Sequence, residues 1–172
     1  MAEGDTVTTD EAVTAAQGTQ DDRDALQIIK DALAGYGLDS LSADAYRFLM
    51  EGSSTDSVMI QLKETEQFQE RFKGLEMRRQ QGLPAISPAE YIGLERGYRQ
   101  AMETAGLPKG FYDSPDDFAQ FIGSDVSEAE MRQRVSMASA AVSNINPELK
   151  NQLQELYGIG TENDGELVAS FL

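Results

Sequence analysis

The sequence predicts an all-α protein, an irregular array of short capped helices behind a disordered acidic N-terminal tail. Three observations predict it. Apolar residues recur at i, i+3, i+4 and i+7 rather than alternating. No run of β-branched residues marks a strand. Helical stretches are punctuated by Gly-Leu stops and by starts led by Ser or Asn, several followed by proline.

Residues 1–21 contain no Leu, Ile or aromatic residue. They offer too little apolar area to offset chain entropy, so they are expected to be the disordered tail. A helical domain over residues 22–158 should follow, and residues 159–172 look like the start of a further helix.

Within the domain, Leu26, Ile29 and Leu33 form the first stripe, with Gly35 and Gly37 where C-caps belong. Ser42 is placed to cap a short helix carrying Tyr46 and Leu49, which ends at Gly52. A longer helix is expected from Thr55 or Asp56, with Val58, Leu62, Phe68 and Phe72 on one face. Gly74 offers it a break before Gly82-Leu83-Pro84 stops it.

The sharpest boundary follows. Ser87 is an N-cap, Pro88 sits at N1, and Glu90 closes a capping box, with Ile86 and Tyr91 as its hydrophobic staple. That helix carries Tyr91, Leu94, Tyr98 and Met102 and ends at Gly106. Ser114-Pro115 starts a short helix ending near Gly123. Ser127 with Glu130 starts one carrying Met131, Val135, Ala138 and Val142. Asn146-Pro147 starts one carrying Leu149, Leu153 and Leu156, which Gly158 stops. The last residues, Leu167 to Leu172, are strongly apolar. Such an end either docks on the core or a partner, or marks a truncated chain.

Composition narrows the chemistry. The chain has 172 residues, with 30 acidic and 14 basic side chains and a net charge of −16, and it has no His, Cys or Trp. The usual general base, thiolate nucleophile and zinc ligands are therefore missing. The global field opposes nucleic-acid phosphates. No apolar run is long enough to span a membrane, and the N-terminus has no secretory signal. The acidic loop from Asp113 to Asp125 fails the EF-hand spacing, and its acids fit helix N-termini instead. Neither a P-loop nor a G-x-S-x-G elbow occurs. No catalytic, cofactor-binding or metal-ligating residue is assigned, no cofactor is expected, and the chain is read as a non-enzyme.

Charge is unevenly spread. Seven bases and six acids lie between Lys63 and Arg99, whereas residues 113–172 hold eleven acids and three bases. An arginine-bearing centre flanked by acidic ends suggests self-association, basic middle to acidic end. Arg78 and Arg79 are the candidate charged partners. Phe111 and Tyr112, adjacent aromatics in the Pro108–Asp113 loop, are candidate anchors or core plugs.

The run from Leu62 to Val142 carries distinctive strings: Gln67-Phe68-Gln69-Glu70-Arg71-Phe72, Ser87-Pro88-Ala89-Glu90-Tyr91, Glu95-Arg96-Gly97-Tyr98-Arg99 and Gly106-Leu107-Pro108-Lys109-Gly110-Phe111-Tyr112-Asp113. This half of the chain resembles a helical segment in uncharacterised virion-associated proteins of tailed bacteriophages. The resemblance implies a structural or assembly role in a phage particle, through contacts with other virion proteins or further copies, located in the virion or host cytoplasm. It transfers no catalytic residues. Two other readings stay open: a virion-associated, carboxylate-dependent cell-wall glycosidase, and an acidic regulatory or DNA-mimic binding protein.

Overall fold

The computed structural model describes residues 9–110, 112, 114–158 and 164–172, with the side chains of residues 9–19, 21 and 22 left aside. Among them there are ten α-helices, one 3-10 turn and no strand, so the protein is all-α. Residues 1–8 of the expected tail lie outside the described residues, and the first helix already begins at Thr9. The chain forms two compact units, Met1–Arg71 and Phe72–Leu172.

The first unit comprises α1 (Thr9–Tyr36), the 3-10 turn Asp39–Leu41, α2 (Ser42–Met50), α3 (Thr55–Lys63) and α4 (Glu66–Arg71). Ile29 and Leu33 of α1 are buried, with Leu38, Leu41, Ala45, Val58 and Leu62. The α1 stop is at Gly37, in the left-handed region at φ 71°, and not at Gly35, which lies inside the helix. Arg71 Nε donates to Tyr36 O at 2.9 Å, satisfying one of the carbonyls that the end of α1 leaves open. Two sequence expectations are corrected here. Ser42 is the first residue of α2 and not its cap. Tyr46 is exposed, because Ala45 takes the inward position.

The long helix expected over residues 55–81 is three helices. Thr65 ends one and starts the next: its Oγ1 donates to Leu62 O at 2.7 Å and accepts from Phe68 N at 3.3 Å. The second break is at Phe72 (φ −114°, ψ 30°), where the two units meet in sequence. Gly74 does not break the helix. It lies within the next one, which packs closely through it.

The second unit contains α5 (Lys73–Gln80), α6 (Pro88–Thr104), α7 (Pro115–Gly123), α8 (Glu128–Ser143), α9 (Pro147–Tyr157) and α10 (Gly165–Ala169). Tyr91, Tyr98, Phe118, Ile122, Met131 and Leu167 form its centre. Phe72 meets Tyr91 edge-on at 5.1 Å between ring centroids, an arrangement aromatic pairs prefer. Helices α5 and α7 pack against each other, α6 packs on α7 and α8, and α10 packs on α8. The α5–α7 approach depends on two glycines. A Cβ on Gly74 would lie 2.9 Å from Ala119 O, and one on Gly123 would lie 2.8 Å from Met77 Cβ.

Caps fix where these helices start. The Ser87–Glu90 capping box is closed in both directions. Ser114, Ser127 and Asn146 each accept a backbone N–H from the first turn of their helix. Glu130 does not return a bond to Ser127, because it pairs with Arg134 at 2.7 Å. The apolar end docks: Leu167, Val168 and Ala169 are buried in this unit.

Candidate interaction surface

Of the anchors expected from sequence, Arg78, Arg79 and Tyr112 are among the described residues. Arg78 is buried, with only 6% of its side chain exposed. Its Nε donates to Pro84 O at 3.2 Å, and its Nη1 donates to Ile122 O at 2.9 Å and lies 2.7 Å from Asp125 Oδ1. Arg78 is therefore corrected from a surface partner to an internal clamp. A buried guanidinium requires acceptors on several sides, and this unit supplies them. Arg79 is exposed and held by Glu76, with both nitrogens at 2.6 Å from the carboxylate. The Arg79 hydrogen bonds, then one from Gln80, draw the Glu76 carboxyl down to about 2. Tyr112 is half-buried, with a left-handed φ of 56°. Phe111 lies outside the described residues.

Other central bases are also engaged. Lys73 pairs with Asp116 at 2.7 Å, and the Arg99 guanidinium sits 5.3 Å from the Phe118 ring centroid. The described acids at the two ends of α7 are engaged as well: Asp116 and Asp125 face bases, and Asp117 accepts from Ser114 Oγ at 2.7 Å; Asp113 lies outside the described residues. Burial beside the negative charges of Asp125, Glu128 and Glu130 pushes the Tyr98 hydroxyl up to about 12, although Arg78 pulls the other way. That hydroxyl donates to Val126 O, the residue after Asp125.

Two surfaces that sequence reading missed stand out in the second unit. The first is an open groove of about 300 Å³ between α6 and α8. Ala101, Ala105 and Val135 lie in it, with Gln100, Thr104, Arg132, Ser136 and Ser139 around them. Small side chains at helix spacing gave no sign of it in the sequence, since they also suit ordinary helix packing. The second surface is α9, which buries none of its residues. Leu149, Leu156 and Tyr157 are exposed, Leu156 to 74%. The leucine stripe was legible, but its lack of a partner was not.

Among the described residues, no helix is long and apolar enough to cross a membrane. Comparison with protein-family models, curated proteins and solved structures finds no match.

Proposed function

We propose that the protein is a non-enzymatic structural or assembly component that works through protein–protein contacts, in a tailed-phage particle as the sequence resemblance implies. The observation that carries the reading is α9, an amphipathic helix presenting Leu149, Leu156 and Tyr157 to solvent. Leu153 between them is half-buried, and an amphipathic helix that leaves most of its apolar stripe exposed offers a contact surface to a partner. The test is mass spectrometry of purified particles made by the genome that encodes the chain. Recovery at a fixed stoichiometry is expected, and absence from those particles overturns the phage assignment.

A further inference from the structure

Among the described helices of eight residues or more, α9 alone has no fully buried residue; Lys150, Leu153 and Gln154 are half-buried. Leu149, Leu153 and Leu156 lie at i, i+4 and i+7 and share one face. By helical spacing, Glu148 and Glu155 line one flank of that face and Lys150 the other. Lys150 is tied to Asp164 within its own chain. Glu148 and Glu155 have no ion-pair partner among the described residues.

The α6–α8 groove of the same unit is its complement. Buried Ala101 and Val135 and half-buried Ala105 make an apolar lining of small side chains, over which another helix backbone can come close. The charged side chain in its lining is Arg132, which is well exposed and pairs with Glu128 at 3.4 Å, a long contact that an incoming carboxylate can share. Its charge is opposite to that of the open flank of α9. The chain's own α9 contributes nothing to the groove lining. It leaves α8 through Asn144–Asn146 and is fastened by the Asn146 cap and the Lys150–Asp164 pair.

We infer that α9 of a second copy docks into the α6–α8 groove, leucines inward, with its acidic flank along Arg132. Donor and acceptor surfaces differ, so the contact is heterologous: it closes into a ring or swapped pair, or continues as a filament. This deepens the assembly reading above by naming the partner as the chain itself. One 11-residue helix is a small interface, so self-affinity on the order of tens of micromolar is expected.

Light scattering of the full chain across concentration tests this. The average mass of the unmodified chain should rise with concentration. Leu149→Asp/Leu156→Asp changes exposed positions and should leave a folded monomer. Ser136→Trp, which fills the groove, should also be monomeric. Mixing the two should restore a 1:1 complex, since one keeps the groove and the other keeps α9. Arg132→Glu should weaken association roughly two- to fivefold, the ordinary effect of a rim charge. Circular dichroism confirms that each variant is folded. A chain that stays monomeric throughout, a groove variant that associates normally, or a mixture that does not pair overturns the proposal. A monomer that still enters particles separates this failure from failure of the functional reading.

Discussion

Arg78 and Asp125 lie 2.7 Å apart, and the pair stands at a turn made without glycine. Asp125 is in the left-handed region at φ 60°, at the end of α7. Val126 N donates to Phe121 O and Asp125 N to Ile122 O, the two bonds of a Schellman stop. The same bond pair closes α1 at Gly37, α2 at Gly52, α5 at Gly82 and α6 at Gly106. Only the α7 stop in this series uses a side-chain-bearing residue, and that side chain faces a buried arginine.

Removing the clamp should therefore cost more than an ordinary surface ion pair. Arg78→Ala leaves Pro84 O without its donor, takes the side-chain donor from Ile122 O and strips Asp125 of its partner, and a loss of about 2–3 kcal/mol is expected for breaking a buried charged hydrogen-bond set. Asp125→Asn keeps a residue that tolerates the left-handed turn and should cost least. Asp125→Ala loses both the pair and that tolerance, for about 1–2 kcal/mol. Denaturation followed through amide signals of α5 and α7 reads this unit separately from the other. Equal stability of all three variants would contradict the clamp.

The glycines of the second unit should divide by what faces them. Gly74→Ala and Gly123→Ala press on Ala119 O and Met77 Cβ and should destabilise by roughly 1–3 kcal/mol through overpacking. Gly93 lies inside α6 with open space where a Cβ would go. Gly93→Ala should stabilise by roughly 0.5–1 kcal/mol by restricting the unfolded chain and favouring helix. Thermal midpoints that rise for Gly74→Ala and Gly123→Ala, as for Gly93→Ala, would show that the α5–α7 approach is not tight.

The docked C-terminal helix should matter to the fold. Leu167 is fully buried in the unit that α8 helps to form. Leu167→Ala should cost about 2–5 kcal/mol, the range for emptying a core site. Hydrogen exchange in α8 should quicken with it. Unchanged protection there would mean that α10 is only laid on the surface.

Alkaline pH should destabilise the second unit through Tyr98. Its hydroxyl is held up at about 12 from an ordinary 10, so the folded state keeps a proton that the unfolded state releases. The associated stability is complete below about 10 and is lost as pH rises toward about 12. Tyrosinate absorbance should show a late-titrating phase from Tyr98, and Tyr98→Phe should remove it. At the acid end, Glu76 is drawn down by Arg79, so its stabilising contribution is present above about 4.5 and fades toward about 2.

Helix starts were legible because their signal is local. Ser87, Ser114, Ser127 and Asn146 each bond a backbone N–H two or three residues on, a relation written in the sequence itself. The break at Phe72 was not legible: no Gly or Pro marks it, and Gly74 drew attention two residues too late. Arg78 was misplaced for a similar reason. Its acceptors come from Pro84, Ile122 and Asp125, up to 47 positions away, and nothing beside it announces them. The α6–α8 groove depends on which small residues two helices turn outward between them, a tertiary matter. The leucines of α9 could be read as a stripe, but only the fold reveals that Leu149 and Leu156 stay exposed.

The three-residue link and the bare face of α9 have a kinetic consequence. An 11-residue helix is marginal on its own, and the cap and the Lys150–Asp164 pair hold α9 with no fully buried residue beneath it. It can melt and re-form without opening the core, well before the unit unfolds as a whole. A contact made through such an element includes an ordering step each time it forms and releases that order each time it breaks. Exchange between copies should then be fast.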